Sequence, residues 1–325
     1  MAKVIVTGAA GFIGSTLAEE LLKQGHEVVG IDAFLPNYCI FQKNDNWDRL
    51  LEWDRFSGVV GDLAQLDLDG YVSGADVIFH QAALAGVRES WGEGFSAYLH
   101  NNVLTTQVLL QLAVRHRIKS FVYASSSSVY GQQPALPLHE GMSPRPYSPY
   151  GVTKLAGENL VRAYHENFGL ACVSLRYFTV YGPRQRRDMA IYRFIDALVH
   201  GREISVYGDG TQTRDFTFVD DVVRANIAAW HALADEATSP LVAGEVFNVG
   251  SGTSVTLREL LDLIGQVVGR APRIIQLPAA PGDVAATLAD AGRARTVLGW
   301  QGVTPLPEGI AAEYRWYQEV HQVHR

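Results

Sequence analysis

Val4-Ile5-Val6-Thr7-Gly8-Ala9-Ala10-Gly11-Phe12-Ile13-Gly14 is the stretch from which the fold can be read. A short β-branched strand runs into a glycine turn, and residues 12–24 then place Ile13, Leu17, Leu21 and Leu22 on one helical stripe. Bare backbone in such a turn can approach a pyrophosphate, while the start of the helix adds N–H donors and a partial positive charge. A second strand is expected at 28–31, ending at Asp32, 18 residues beyond Gly14. A carboxylate there can accept from both hydroxyls of a ribose and repels a 2′-phosphate, so the expected cofactor is NAD rather than NADP. Gly8, Gly11, Phe12, Ile13, Gly14 and Asp32 are the candidate cofactor residues, and Asp62-Leu63, after a third strand at Val59-Val60, is a candidate adenine-edge contact.

Outward from this unit, buried-strand patterns at 77–79, 121–124 and 171–175 alternate with helical patterns at 97–115 and 152–168. Repetition of strand, helix and strand implies a parallel sheet covered on both faces, a doubly wound α/β arrangement. Beyond Arg176 the texture changes: helices at 191–200, 221–233, 256–268 and 305–317 are separated by short strands. Gly208-Asp209-Gly210 is a hairpin signal between strands at 204–207 and 211–218. The expected organisation is an NAD-binding domain at 1–176 and a smaller α+β lobe at 177–325, with some segments crossing back to the first.

Tyr150-Gly151-Val152-Thr153-Lys154 places a phenol and an ammonium one helical turn apart on one face. A tyrosine with a pKa near 10 is a poor base at neutral pH, and an adjacent cation favours its phenolate. The same ammonium can hold the cofactor's ribose hydroxyls. Ser125-Ser126-Ser127-Ser128-Val129-Tyr130-Gly131 leaves a strand and directs hydroxyls toward the same sheet edge.

The chain has 325 residues, 47% of them hydrophobic and 19% charged, which is ample for one large or two modest cores. A net charge of −7 argues against a nucleic-acid surface, so any anionic ligand must be met locally. Cys39 and Cys172 stand far apart, without metal-ligand spacing, so neither a disulfide framework nor a metal site is expected. No apolar run reaches the length of a membrane span and the start of the chain lacks a signal-peptide core, so a cytoplasmic location is expected.

The chain resembles the extended short-chain dehydrogenase/reductases of the nucleotide-sugar epimerase and dehydratase group. The resemblance rests on the glycine turn, His80-Gln81-Ala82-Ala83, the serine run, Tyr150 with Lys154, and Arg176-Tyr177-Phe178-Thr179-Val180-Tyr181-Gly182-Pro183. It continues through Arg214-Asp215-Phe216 and Asn248-Val249-Gly250-Ser251-Gly252. It implies a Rossmann N-terminal lobe with NAD lined by Asp32, Asp62 and Ala82, Tyr150 as catalytic base with Lys154 beside it, and Ser127 as the hydroxyl that shares the substrate proton. It further implies UDP contacts at Arg214 and Asp283, and a homodimer formed through the helices at 97–115 and 152–168.

Dehydratases and decarboxylases of this group carry a carboxylate just before the Val-Tyr-Gly that ends the serine run, where this chain has Ser127 and Ser128. Lacking that acid/base, the site suits hydride removal from C4 and its return to the opposite face, which is epimerisation. The segments 86–91, 178–186 and 281–284 resemble the UDP-glucuronate 4-epimerase branch, making Arg88, Ser128 and Thr179 candidate substrate residues. A C6 carboxylate calls for an arginine fork, which Arg186 can supply, with Thr179 and Ser127 helping to hold it. Arg187 departs from that branch, which has proline between Arg186 and Asp188. Alternative readings are a UDP-glucose or UDP-N-acetylglucosamine 4-epimerase, a UDP-glucuronate decarboxylase, and a non-catalytic NAD sensor or scaffold.

Overall fold

Strands rich in Val, Ile and Phe stack side by side when both of their faces can be covered, and alternation along each strand assigns its residues to one cover or the other. The computed structural model describes residues 1–278 and 284–323. Among these residues twelve strands form three sheets. In chain order they are β1 (Lys3–Thr7), β2 (Glu27–Asp32), β3 (Phe56–Val60), β4 (Val77–His80), β5 (Ser120–Ser126), β6 (Cys172–Tyr177), β7 (Thr179–Tyr181), β8 (Ile204–Tyr207), β9 (Thr213–Phe218), β10 (Val246–Val249), β11 (Ser254–Thr256) and β12 (Ile274–Leu277).

The central sheet has seven strands in the order β10-β6-β5-β4-β1-β2-β3, and every pairing in it is parallel. Val4 and Val6 point into one apolar cluster with Leu17 and Leu21 of the Phe12–Lys23 helix and Val222 and Trp230 of the Val219–Ala234 helix. Ile5, between them, points into the opposite cluster with Leu109 of the Thr105–Arg115 helix and Val161 of the Pro149–Phe168 helix. Val77 and Phe79 against Ile78, and Val122 against Phe121 and Tyr123, repeat the same parity. Each such burial stabilises by roughly 1.5–3 kcal/mol, so the two layers hold the sheet from both sides. The chain winds from β1 to β3 in one direction and then places β4 on the other side of β1, which opens a crevice at the carboxyl ends of β1 and β4.

The second half is interleaved with the first. At Phe178 the chain leaves the central sheet for a three-stranded sheet of order β11-β9-β7, whose helices Ala190–Val199, Leu257–Val268 and Leu306–Val323 share a third apolar cluster. β10 then returns to pair with β6. The hairpin expected around Gly208-Asp209-Gly210 does not form: β8 pairs in parallel with β12, whereas β9 pairs with β11 and β7. Gly208 and Gly210 have φ of +77° and +80°, so the glycines do make the turn. A turn signal does not choose the strand that completes the ladder, and here both flanking strands find other partners.

Two helices differ in detail from expectation. The one expected from 152 starts at Pro149, because Ser148 caps it by accepting from the Gly151 N–H at 3.2 Å and proline suits the first helical position. The one expected at 97–115 runs through Phe95–Tyr98, a π-helical stretch Leu99–Leu104 and Thr105–Arg115.

At the end of β4, His80 is buried between the hydroxyls of Thr7 (2.8 Å) and Thr106 (2.9 Å), and burial takes its pKa from 6.5 down to about 3. The native imidazole is therefore neutral where the unfolded one takes up a proton. It has no influence on the pH dependence of stability above about pH 6.5, and stability declines as pH falls from there toward 3. His80→Gln is expected to flatten urea-unfolding stability between pH 6.5 and 4 by up to about 1.4 kcal/mol per pH unit. An unchanged slope would rule out this source of acid sensitivity.

Candidate active site

A cavity of about 410 Å³ runs across the carboxyl ends of the central strands, from Asp62 and Leu63 beyond β3 to Thr179 and Arg186 beyond β6. Its middle is the glycine turn. A Cβ on Gly8, whose φ is +70°, would lie 2.8 Å from the Ala82 nitrogen, and one on Gly14 would lie 2.1 Å from the Gly8 oxygen. Only bare backbone fits, and the Phe12–Lys23 helix opens directly onto the groove with Gly11 as its N-cap and no side chain capping it. This cradle suits a dinucleotide pyrophosphate.

Asp32 ends β2 at the cavity wall, accepting from the backbone N–H groups of Ala10 (3.1 Å) and Phe34 (2.8 Å). Burial raises its pKa, opposed first by the Lys43 ammonium and then by those two donors. Lys43, which sequence reasoning overlooked, is 4.0 Å from Asp32 and donates to the Leu35 carbonyl (2.9 Å) and Asn37 (3.2 Å). It lies in the Ile40–Leu51 helix, whose composition gives no hint that this lysine turns inward. Asp62 accepts from His100 at 2.7 Å, and Ala82 and Leu63 line the same groove.

At the other end, Tyr150 and Lys154 sit on one face of the Pro149–Phe168 helix and both line the cavity. The hydroxyl beside Tyr150 is that of Ser126, not Ser127. β5 ends at Ser126 and the chain turns into a 3-10 helix at Ser127–Val129, carrying Ser127 and Ser128 off the strand. The alternation of the strand was legible in the sequence, but the residue at which the strand stops was not.

Burial raises the Tyr150 pKa, and the influences that oppose it are the Ser126 hydroxyl and the Arg186 guanidinium rather than Lys154. Lys154 donates to the Ala124 carbonyl at 2.8 Å, and burial brings its pKa down to about 7. The next turn of the helix holds Glu158, which accepts from Ser125 at 2.5 Å and takes the Arg176 guanidinium in a two-point grip at 2.9 and 2.8 Å.

Thr179 and Arg186 line the same cavity as Tyr150. Arg88 and Arg214 lie outside its walls. Arg88 stacks on the Tyr207 ring at 4.4 Å, and Arg214 donates to the Thr213 carbonyl at 2.8 Å. Asp283 lies outside the described residues. Asp215, next to Arg214, accepts from the N–H groups of Ser251 (2.8 Å), Gly252 (3.0 Å) and Ala289 (3.0 Å), so this part of the sequence pattern holds loops together.

The fold and groove define a Rossmann-type dinucleotide enzyme whose tyrosine, one helical turn from a lysine, meets a serine at the sheet edge. The profile of the NAD dependent epimerase/dehydratase family matches residues 4–250. A Bacillus subtilis protein described as an uncharacterized UDP-glucose epimerase, YtcB, is 40% identical over 321 residues, covering 98% of this chain and 99% of its own. UDP-glucuronate 4-epimerase of Thermodesulfobacterium geofontis is 34% identical over 330 residues, covering 98% and 97%. The crystal structure of UDP-glucuronic acid 4-epimerase from Bacillus cereus, in complex with UDP-glucuronic acid and NAD, matches with a TM-score of 0.92 at 40% identity, covering 98% and 99%. The chain belongs to the NAD-dependent epimerase/dehydratase family.

Glu158→Ala would leave Arg176 buried without its partner, and is expected to lower unfolding free energy by about 3–5 kcal/mol in urea titrations. A loss below about 1 kcal/mol, the range of surface pairs, would show that this pair does not secure the helix.

Proposed function

We propose that this enzyme interconverts UDP-glucuronate and UDP-galacturonate by NAD-dependent epimerisation at C4, through a transient 4-keto sugar. The observation that carries the reading is the placement of Arg186 in the cavity that also holds Tyr150 and Thr179, close enough for its charge to act on the Tyr150 phenol. A cation there serves a substrate with a carboxylate at C6. The 40% identical Bacillus cereus enzyme, described with UDP-glucuronic acid and NAD, supports the same assignment.

The glycine-lined groove would hold NAD, which when bound supplies the acceptor and donor of the C4 hydride, returned to the opposite face of the keto sugar. Tyr150 takes the proton of the C4 hydroxyl as the carbonyl forms and returns it on reduction, with the Ser126 hydroxyl sharing that proton. Arg186 favours the phenolate and grips the C6 carboxylate. The grip matters chemically, because a 4-keto uronic acid is a β-keto acid that loses carbon dioxide if its carboxylate is free to align with the carbonyl. Thr179 and Ser127 assist in holding it. Ser127 and Ser128 stand where an eliminating enzyme needs a carboxylate, which speaks against dehydration.

A homodimer belongs to the same reading. It is supported by large apolar side chains left exposed along the two helical runs expected to pair, Leu99 and Leu104 on one and Val152 and Phe168 on the other. A cytoplasmic location suits the two free thiols, Cys39 and Cys172.

Incubation with UDP-glucuronate, followed by NMR, is expected to give UDP-galacturonate. UDP-xylose would indicate a decarboxylase, and turnover of UDP-glucose alone a neutral-sugar epimerase. Tyr150→Phe is expected to retain NAD but to lose on the order of 100-fold or more in turnover; full activity would refute the role of the phenol. Ser126→Ala should cut kcat on the order of 10-fold or more while Ser127→Ala acts on KM, and the reverse pattern would return the proton-sharing role to Ser127.

A further inference from the structure

Arg186 does not wait in the cavity as an unengaged cation. Its Nε donates to Asp188 Oδ1 at 3.0 Å and its Nη2 to Asp188 Oδ2 at 2.5 Å, a side-on fork, while Nη1 donates to the Ala85 carbonyl at 3.3 Å. The guanidinium carbon also lies over the Tyr38 ring, 5.3 Å from its centre. A guanidinium has five N–H donors. These contacts take one from Nε, one from Nη1 and one from Nη2, leaving one N–H on each terminal nitrogen for a further acceptor.

Asp188 itself is on the outer side of this arrangement. Its side chain is 47% exposed, against 14% for Arg186, and it does not line the cavity. The segment around the pair is pinned as well: Gln42 donates to the carbonyls of Arg184 (2.8 Å) and Gln185 (2.7 Å), and the Met189 N–H closes a turn onto the Arg186 carbonyl at 3.0 Å. Arg186 is thus gripped on one edge by a carboxylate from solvent, on one terminal nitrogen by the floor of the cavity, and on one face by an aromatic ring.

We infer that Asp188 is a positioning residue for substrate choice: it holds Arg186 side-on, so that the remaining end of the fork is presented to the C6 carboxylate of a uronic acid. The inference rests on the proposed assignment of Arg186 to that carboxylate. An arginine whose orientation is fixed in advance loses less side-chain freedom on binding than one that must be ordered by the substrate. Asp188 also balances the charge of Arg186, so the site recognises the uronate through geometry more than through an unpaired positive charge, and a C6 hydroxymethyl group gains nothing from the same alignment.

The test compares wild type, Asp188→Asn, Asp188→Glu and Arg186→Ala, with NAD content checked in each. KM and kcat are measured for UDP-glucuronate, and Kd for UDP-glucose. Asp188→Asn is expected to raise KM for UDP-glucuronate on the order of 10-fold, with kcat changed less and UDP-glucose affinity within about 2-fold. Asp188→Glu, which keeps a carboxylate within reach, should restore part of the loss. Equal changes for the two ligands, or a kcat loss without a KM change, would overturn the inference. A lower KM in Asp188→Asn would overturn it too, since Asp188 would then be competing with the substrate. If wild type fails to turn over UDP-glucuronate, or Arg186→Ala leaves its KM unchanged, the assignment of Arg186 falls first, and this distinguishes the failure of the two.

Discussion

Helix Pro149–Phe168 has to lie hard against β5, and much of the molecule is arranged so that it can. Tyr150, Lys154 and Glu158 are spaced four residues apart and share one stripe of that helix. Gly157 allows the close approach, since a Cβ there would lie 2.0 Å from the Tyr123 hydroxyl. Lys154 reaches the Ala124 carbonyl, and Glu158 closes on Ser125 and Arg176, so the helix is hydrogen-bonded to β5 and β6 at successive turns. With those two turns fixed, the first turn delivers Tyr150 to Ser126 at the open end of the sheet. A buried ion pair of this kind gives little net stability over an apolar contact, but it tolerates no loss of a partner, which makes it an effective way to specify one register of helix on strand.

The interleaving of the two halves serves the same cleft. The chain crosses from the central sheet to the small one at a single residue, Phe178, and this leaves Thr179 at the junction where the cavity wall changes from one sheet to the other. Asp215 then gathers the loop after β10 and the strand-like segment at Ala289 by accepting four hydrogen bonds from them. A carboxylate buried among backbone donors is a rigid pin, because each donor it satisfies would otherwise be desolvated without a partner. The small sheet is thereby tied to the loop that follows β10 of the central sheet.

Charge in the cleft is local and opposed to the chain as a whole. The molecule carries a net −7, yet Lys43, Lys154 and Arg186 line the cavity against two carboxylates, Asp32 and Asp62. Each is held by a carbonyl or a carboxylate: Lys43 by Leu35 and Asn37, Lys154 by Ala124, Arg186 by Asp188 and Ala85. Cations fixed in this way keep their direction at some loss of field. That suits a site that must orient anionic groups and still let product go.

What the sequence determined by itself was whatever depends on short-range periodicity and on residues adjacent in the chain. The turn from Gly8 to Gly14, the carboxylate at Asp32, the parity of the central strands and the pairing of Tyr150 with Lys154 on a helix all follow from spacing. Only the tertiary structure decided which serine of four meets the tyrosine, because that depends on where β5 stops and its 3-10 turn begins. The same holds for the Gly208 to Gly210 turn, whose strands pair with distant partners, and for Lys43, which turns inward from an amphipathic helix. Asp188 is two residues from Arg186, but its grip on the outer edge of the guanidinium is set by the fold of the loop. Local spacing fixes which face a side chain occupies, whereas the partner on that face is chosen by packing between segments far apart in the chain.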